Sequence, residues 1–377
     1  MKRVFGMVCT LIFLGIIFST AHAGKDRDDG NRDPGWGYKK TGLNHSGKTR
    51  EYWIAAEELT WDHAPSFTAG GPNPMTDDPY TDDQKVFVSD FIGSQYVKSV
   101  YRGYTENFAI QKQHPIHLGL LGPVIRAQVG DTIKIHFRNN TSKPASMHPH
   151  GVIYTKANEG APYNDGTSGS DQDDDVVAAY GGAYTYVWKV PERAGPGPND
   201  PSSIVWLYHS HVDEPADTNG GLMGPMVITR KGEARYDGSP RGIDREFFSL
   251  FSVIDENASI HFDTNDIGGI PEEDYEESNL MHGINGLVYG DNIGYDMYVG
   301  ENVRWYILAL GTEVDLHTPH WHGVTLIHNG NRIDVAEVFP ASAKTYDLIP
   351  DNPGTWMFHC HVNDHVVAGM MTKFTIH

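Results

Sequence analysis

The sequence predicts an all-β protein built from two β-sandwich domains. Short runs rich in Val, Ile, Tyr, Phe and Trp alternate with Gly, Pro, Asn and Asp, and long segments of helical period are almost absent. Two parts of the chain also repeat each other. A length of 377 residues suits two domains, each large enough to bury its own core.

Five runs illustrate the predicted strands, and their spacing by turn residues indicates antiparallel sandwiches. They are Lys85-Val-Phe-Val-Ser, Thr132-Ile-Lys-Ile-His-Phe, Tyr184-Thr-Tyr-Val-Trp-Lys-Val, Val303-Arg-Trp-Tyr-Ile-Leu and Thr355-Trp-Met-Phe-His.

The internal repeat covers two kinds of segment. Met147-His-Pro-His-Gly-Val in the first half corresponds to Pro319-His-Trp-His-Gly-Val in the second. Trp206-Leu-Tyr-His-Ser-His-Val-Asp corresponds in the same way to Trp356-Met-Phe-His-Cys-His-Val-Asn. Two copies of one domain follow from this correspondence.

We place the first domain at residues 46–232 and the second at residues 244–377, joined by the polar stretch Lys231–Arg241. The first copy carries an insertion at Thr155–Tyr180, rich in Gly, Asp and Ser, which belongs on a loop. Either an ordinary surface insertion or a lid or partner contact fits it.

The first residues read as a signal peptide over residues 1–23. An apolar run at Val4–Ile17 follows two basic residues, and Ala21-His22-Ala23 offers a cleavage site. We expect an exported protein, periplasmic or extracellular, that begins near Gly24 with a flexible segment at 24–45. A retained membrane anchor is the alternative, although the run is shorter than a bilayer span needs.

The cysteine count points to metal chemistry. Cys9 lies in the segment expected to be cleaved, so Cys360 is left alone and no intrachain disulfide can form. A lone thiol in an exported protein is at risk of oxidation unless it is occupied, and metal ligation would occupy it.

Eight histidines occur in four His-X-His pairs. Because residues i and i+2 of a strand point to the same face, each pair can direct two imidazoles at one point, and four pairs can surround a small metal cluster. One pair alone would fit ordinary packing, whereas four pairs at repeat-equivalent places indicate a site. The pairs are His148 and His150, His209 and His211, His320 and His322, and His359 and His361.

A second ligand set combines His317, Cys360, His365 and Met370. One thiolate, two imidazoles and a weak axial thioether favour blue copper. Core packing is the alternative for Met370. A structural zinc site would need only four ligands and would leave most of the histidines unused.

The two sets meet at one strand. Cys360 stands between His359 and His361, and neighbouring residues of a strand point to opposite faces. One face would therefore hold the electron-accepting copper and the other the cluster, with a short covalent path between them. This arrangement suits an electron relay.

These motifs resemble the four copper-binding motifs of multicopper oxidases. His148-Pro-His-Gly, His209-Ser-His, His317-Thr-Pro-His-Trp-His-Gly and His359-Cys-His-Val-Asn-Asp-His-Val-Val-Ala-Gly-Met carry the resemblance, which extends over nearly the whole mature chain. Stretches such as His117-Leu-Gly-Leu-Leu-Gly-Pro are similar to the ceruloplasmin-like branch, and the architecture is similar to two-domain, laccase-like members. The resemblance implies two cupredoxin-like Greek-key β-sandwiches.

The resemblance also assigns the copper ligands and implies about four coppers per chain, as one type 1, one type 2 and a type 3 pair. Type 1 copper would take His317, Cys360, His365 and Met370, and type 2 copper would take His148 and His320. The type 3 pair would take His150, His209, His211, His322, His359 and His361. In the first domain Ser210 replaces the cysteine and Pro215 the following histidine, so no blue copper is expected there.

The expected activity is that of a multicopper oxidase, which oxidises a small reductant near an exposed edge of His317 or His365 and reduces dioxygen to water. Phenols, aromatic amines, ferrous ions and cuprous ions stay open as reductants. Asp213 is a candidate proton donor beside His211, although a surface role fits it as well. Asp334 and Glu337 could bind a metal-ion substrate or could be solvated acids.

Two other activities fit part of the pattern. A copper-binding electron carrier would need only the type 1 set. A two-domain copper nitrite reductase would carry its type 1 site in the first domain and would lack the eight cluster histidines.

The short linker favours a cluster completed between chains, and the two-domain relatives imply a homotrimer with interchain clusters.

The charge argues against nucleic-acid and anionic membrane partners. Cleavage would remove Lys2 and Arg3 and no acid, which takes the formal charge from −20 to −22. No later segment is expected to cross a membrane. The acidic loops would serve as a solvated surface or would attract cationic reductants.

Overall fold

The computed structural model describes residues 47–88, 93–167, 169–170, 176–265 and 272–377, and for 272–274 it describes the backbone only. The predicted signal peptide, the whole of the predicted flexible segment and the acidic run 171–175 lie outside the described residues. Residues His45–His377 form one compact unit. Within it, the boundary between the two domains stays a prediction.

The first half of this unit forms two four-stranded sheets, in the orders β2-β1-β4-β6 and β3-β8-β7-β5. Its strands are β1 (Thr49–Asp62), β2 (Gln95–Tyr104), β3 (Ile125–Gln128), β4 (Thr132–Asn139), β5 (His148–Pro149), β6 (Gly182–Lys189), β7 (Ser203–His209) and β8 (Met223–Thr229).

The second half forms a six-stranded sheet, β10-β9-β12-β16-β14-β15, and a four-stranded sheet, β11-β18-β17-β13. Its strands are β9 (Arg245–Asp255), β10 (Leu280–Ile284), β11 (Asp296–Met297), β12 (Val303–Ala309), β13 (Pro319–Trp321), β14 (Leu326–His328), β15 (Asn331–Ile333), β16 (Ala343–Leu348), β17 (Gly354–Cys360) and β18 (Met371–Ile376).

Helices are short in the described part of the chain, and none is long and apolar enough to span a bilayer. Two of them directly follow the strands that carry the second His-X-His pair of each half. The helices are α1 (Pro65–Thr68), α2 (Glu214–Asn219), α3 (Phe262–Asn265), α4 (Glu272–Ser278) and α5 (Asn363–Val367).

The all-β fold class is confirmed, but the sheets are mixed and the expectation of antiparallel sandwiches is wrong. β1 runs parallel to β4, with Thr49 opposite Thr132, and β9 runs parallel to β12. After β1 the chain forms the antiparallel neighbour β2, leaves the sheet to form β3, and re-enters at the end where β1 began, which makes β1 and β4 parallel. The two halves share this pattern, as the repeat predicts.

Four of the five illustrated runs form strands, namely β4, β6, β12 and β17. The run that begins at Lys85 does not. Gln84–Val86 form a turn of 3-10 helix, because the Lys85 amide donates to the Thr81 carbonyl at 3.0 Å and the Thr81 hydroxyl accepts from the Gln84 amide at 3.3 Å. A hydroxyl ahead of the run thus starts a helical turn despite its β-forming residues.

The cores follow the strand period. In β4, Ile133, Ile135 and Phe137 alternate with more exposed residues and pack with Tyr186 and Trp188 inside the first sandwich. Burial of each such side chain stabilises the fold by about 1.5–3 kcal/mol.

β12 is buried on both faces. Trp305 faces the second sandwich core, whereas Tyr306 and Leu308 belong to an apolar cluster that also includes Leu207 and Val227 of the first half. This shared cluster joins the two halves.

Candidate metal centres

Cys360, His317 and His365 converge in the buried interior of the second half. The Cys360 sulfur lies 3.6 Å from Nδ1 of His365 and 4.0 Å from Nδ1 of His317, and the two Nδ1 atoms are 3.0 Å apart. All three residues are buried. Three soft or borderline donor atoms aimed at one point form a set that suits copper.

Local backbone structure produces this convergence. Cys360 is the last residue of β17, and α5 turns His365 back toward it. The Cys360 amide donates to the Met370 carbonyl at 3.0 Å, and the Met370 amide donates to the His365 carbonyl at 2.9 Å. These bonds bring Met370 beside the set, in the same buried cluster as Cys360.

Asp315 orients one of the two imidazoles. Its Oδ1 lies 3.1 Å from Nε2 of His317, which leaves Nδ1 facing Cys360. Asp315 is itself buried and accepts from the Val253 amide at 2.6 Å and the Thr312 amide at 2.8 Å. Burial is the largest single influence and opposes protonation of His317, but the hydrogen bonds and charges of Asp315 and Cys360 together outweigh it and raise the His317 pKa. A carboxylate behind a ligand histidine is a common means of fixing the imidazole.

The thiol of Cys360 favours the thiolate form. Burial alone would raise its pKa, but hydrogen bonds from His317, His365 and the amides of Thr318 and Val362 lower the pKa to about 6. The thiolate is the form that binds metal.

The second-half quartet comprises His320, His322, His359 and His361. Nε2 of His359 lies 3.1 Å from Nε2 of His322 and 3.3 Å from Nδ1 of His320. The His361 ring centre is 5.3 Å from that of His320 and 5.4 Å from that of His359. The two His-X-His pairs of this half therefore face one point, as the strand geometry predicts.

The first-half quartet has the same form and comprises His148, His150, His209 and His211. Nε2 of His150 lies 3.0 Å from Nε2 of His209, and the His148 ring centre is 5.1 Å from that of His211. His148 faces His209 across the β5–β7 pair, as His320 faces His359 across β13–β17.

Burial keeps key imidazoles of both quartets neutral. It is the main cause that lowers the pKa of His150, His209 and His359 to about 4, and repulsion from neighbouring histidines acts in the same direction. Neutral imidazole is the ligand form, so both quartets fit copper by the chemistry of their donors.

No ring contact joins the two quartets in the described part of the chain. Among the described residues, every ring contact of a quartet histidine with another quartet histidine stays inside its own half. Each quartet is therefore half of the eight-histidine set.

Comparison with known proteins identifies the family. Family models described as multicopper oxidase match residues 111–233 and residues 266–377, which include both quartets and the Cys360 set. The chain belongs to the multicopper oxidase family.

Relatives of this multicopper oxidase include much longer proteins. Human Ferroxidase HEPHL1 is 42% identical over 344 residues, which is 87% of this chain and 29% of that protein. Mouse hephaestin is 38% identical over 388 residues, 96% of this chain and 32% of its own length. Rat ceruloplasmin is 39% identical over 345 residues, 87% of this chain and 32% of its own length. The chain thus spans about a third of these relatives.

Solved structures share the fold at low identity. The multicopper oxidase mgLAC is 20% identical with a TM-score of 0.57, covering 88% of this chain and 86% of that one. The copper nitrite reductase from Nitrosomonas europaea is 16% identical with a TM-score of 0.57, covering 87% and 94%. These likenesses support the cupredoxin-like architecture.

The multicopper oxidase buries the rings that were expected to reach the surface. His317 is 0% exposed, so the expected exposed edge is wrong for that ring. His365 is 5% exposed, and an exposed edge there stays a prediction. Phe251 contacts the His317 ring, and His282 covers His365 with ring centres 5.4 Å apart. Tertiary packing from β9 and β10, which the local motifs do not report, provides this cover.

The acids near the quartets differ from those expected. Asp213 is exposed at the start of α2, and within the described residues its carboxylate has no hydrogen bond or ion pair, so its proton-donor role stays a prediction. Glu214 instead lies 3.5 Å from Nε2 of His211. Asp334 lies 3.9 Å from Nε2 of His320, at a quartet, and Glu337 pairs with Lys344 at 3.2 Å.

Sequence reasoning missed Asp315, His282 and Asp217. Asp315 stands two residues before His317, a spacing that could have revealed it in extended chain. His282 contacts His365 from β10, and Asp217 contacts Ser210 from α2. Neither contact could be predicted from residue spacing in the sequence.

Proposed function

We propose that this protein is an oxidase that couples one-electron oxidation of a small reductant to the four-electron reduction of dioxygen to water. The observation that carries the proposal is the division of β17 between two ligand groups. Cys360 joins His317 and His365, while the preceding residue, His359, joins His320 and His322. Two redox centres would then be linked by a single peptide unit.

Copper bound at these positions would supply one-electron redox chemistry at the Cys360 set and oxygen reduction at the histidine cluster. The ligands proposed for type 1 copper are His317, Cys360, His365 and Met370. Those proposed for type 2 copper are His148 and His320, and those for the type 3 pair are His150, His209, His211, His322, His359 and His361.

The chain itself contributes burial, orientation and a path. Burial of the Cys360 set excludes water, and Asp315 fixes His317 so that little rearrangement accompanies electron transfer. We propose Glu214 and Asp213 as the carboxylates that deliver the protons consumed by oxygen reduction. Glu214 is included because it contacts His211.

For the reductant we propose ferrous iron ahead of phenols, aromatic amines and cuprous ion. Two observations support this order. Asp364, which precedes the buried ligand His365 in the sequence, is exposed, and its carboxylate could bind a hard cation. Relatives at about 40% identity include a protein named ferroxidase.

We propose that the cluster forms between subunits of a homotrimer. Each chain presents two separate half-clusters, and a head-to-tail contact would pair the first-half quartet of one chain with the second-half quartet of the next. A ring of such contacts closes with cyclic symmetry. About four coppers per chain would then be expected.

The two rival activities leave part of the site unused. An electron carrier needs the Cys360 set but not the quartets. A two-domain nitrite reductase needs a type 1 set in the first half, where Ser210 and Pro215 stand instead of ligands.

Export is part of the proposal, to the periplasm or outside the cell, with cleavage near Gly24. N-terminal sequencing of the mature protein tests it.

Oxygen uptake by the copper-loaded protein tests the function. Uptake is recorded with ferrous iron and with a phenol, and repeated with Cys360→Ser. We expect uptake that is faster with iron and is lost in the variant, together with the blue colour. Equal uptake by variant and wild type would refute the relay, and full copper loading without uptake would refute the oxidase. Uptake faster with the phenol would refute only the order of reductants.

A further inference from the structure

The first half contains a buried polar contact at the place where the second half holds the Cys360 set. Strand register establishes the equivalence: His209 pairs with Met223 as His359 pairs with Met371. Ser210 therefore stands in the position of Cys360, and its amide donates to the Leu222 carbonyl at 3.0 Å. The Cys360 amide makes the same bond to Met370.

The remaining positions of this set correspond as well. Ala145 bridges to Val177 as His317 bridges to Val338, so Ala145 takes the place of one ligand histidine. Leu222 takes the place of the thioether. The first half thus lacks every type 1 ligand, although its backbone keeps the arrangement.

Asp217 occupies the place that the type 1 ligands occupy in the second half. It lies on α2, which follows β7 as α5 follows β17, and its carboxylate turns back to the strand as His365 does. Its Oδ2 accepts from the Ser210 hydroxyl at 2.6 Å and from the Val212 amide at 3.1 Å. In the second half, the Cys360 sulfur faces His365 and accepts from the Val362 amide at 3.5 Å. Asp217 is fully buried.

From Asp217 a chain of hydrogen bonds leads to both His-X-His pairs of this half. The Ser210 hydroxyl, held by Asp217, accepts from the Ser146 amide at 3.0 Å. The Ser146 hydroxyl accepts in turn from the His211 amide at 3.0 Å. Ser210 lies between His209 and His211, and Ser146 lies two residues before His148. The network therefore ties together the two segments that carry the first-half quartet.

We propose that Asp217 and Ser210 are positioning residues for the first-half quartet, holding its two His-X-His segments in place where no type 1 metal can do so. Asp217 acts through Ser210, and neither residue is a copper ligand. This proposal rests on the proposed function, because it assigns the quartet to cluster copper. The second half needs no such pair, since its own ligand set joins the equivalent segments.

The test compares Asp217→Ala, Ser210→Ala and the double variant with wild type. Copper retention against a chelator is measured, with type 1 copper followed by its blue absorbance and type 2 copper by its electron paramagnetic resonance spectrum. We expect each single variant to bind cluster copper about 10–100-fold more weakly, with an altered type 2 spectrum and unchanged blue absorbance. Because the two residues share one hydrogen bond, the loss of copper affinity in the double variant should be smaller than the sum of the losses in the two single variants.

Two controls separate positioning from loss of stability. Asp217→Asn keeps an oxygen that can accept from Ser210 and should restore most of the affinity. Asp131→Ala removes another buried carboxylate of the first half, one that accepts from the Lys48 and Gln128 amides, and should leave both copper signals unchanged. Loss of cluster copper in Asp131→Ala equal to that in Asp217→Ala would overturn the proposal.

A copper-free measurement completes the test. Hydrogen exchange should accelerate in Asp217→Ala at the amides of Ser146 and His211, but not at those of their counterparts Thr318 and His361. Wild-type exchange together with wild-type copper affinity in a folded Asp217→Ala protein would refute the proposal. If wild type itself binds no cluster copper, the proposed function fails. The positioning role of Asp217 and Ser210 is then tested by the hydrogen-exchange measurement alone.

Discussion

His359 and Cys360 are consecutive residues whose side chains enter different ligand groups. The His359 imidazole lies 3.1 Å from that of His322, and the Cys360 sulfur lies 3.6 Å from His365. The alternation of a β-strand alone produces this division. Any change that breaks one group while preserving the strand should therefore leave the other group measurable.

Met370→Leu tests the axial ligand. Leucine matches methionine in volume and already stands at the equivalent position in the first half, so the substitution should cost less than about 1.5 kcal/mol of stability. Loss of the thioether donor destabilises the oxidised copper, so the reduction potential should rise while the blue absorbance persists. A redox titration of the blue band measures this. An unchanged potential would assign Met370 to core packing.

Gly323→Ala tests how the backbone places His322. Gly323 has a φ of 71°, and a Cβ added there would lie 2.7 Å from the Trp356 ring. An alanine must therefore strain the backbone and push Trp356 aside, at a cost of about 1–3 kcal/mol. We expect a lower unfolding midpoint and weaker cluster copper with intact blue absorbance. Gly300→Ala, whose φ is also positive but whose Cβ meets nothing within 4 Å, is the matched control. Equal copper loss in both variants would contradict the contact argument.

Local geometry explains what could be predicted from the sequence. His320 and His322 converge because residues i and i+2 of a strand share a face, a rule that needs no tertiary knowledge. The absence of type 1 ligands at Ser210 follows from the repeat in the same direct way. Ligand groups that depend on adjacent or alternate residues of a strand could therefore be predicted from the sequence.

Long-range packing explains what could not be predicted. Asp217 reaches Ser210 only because α2 turns back onto β7, and His282 covers His365 from β10. The parallel pairing of β1 with β4 depends on how the chain re-enters the sheet. None of these contacts corresponds to a regular spacing of residues in the sequence, because the fold brings the partners together from distant parts of the chain.

His117→Phe tests the effect of a partly buried neutral histidine on acid stability. The His117 ring packs against Phe247, Phe248 and Tyr295, and its buried Nε2 has no partner among the described residues. Burial lowers its pKa from 6.5 to about 4. The unfolded chain therefore binds a proton that the folded chain does not, and stability falls as the pH drops from about 6.5 to about 4, by at most about 3 kcal/mol.

In His117→Phe this contribution should be absent, so the variant should gain stability relative to wild type as the pH is lowered. Denaturant unfolding at pH 7.5 and pH 5 measures the difference. His136→Phe, which changes a histidine outside the core, should not reproduce the gain. A His117→Phe advantage that is equal at both pH values would show that packing, rather than protonation, causes it.

Mixed oligomers of two inactive variants test whether the clusters form between chains. His150→Ala damages only the first-half quartet and His322→Ala only the second-half quartet. If each cluster pairs the first half of one chain with the second half of the next, every mixed trimer should hold one intact cluster at its three interfaces, with about a third of wild-type oxygen uptake. Clusters formed within one chain would give none, since every chain carries a defect. Co-expression with two different affinity tags and sequential purification selects the mixed oligomers, and each variant expressed alone is the inactive control. Inactive mixed oligomers would refute the interchain cluster while leaving the Cys360 set unaffected.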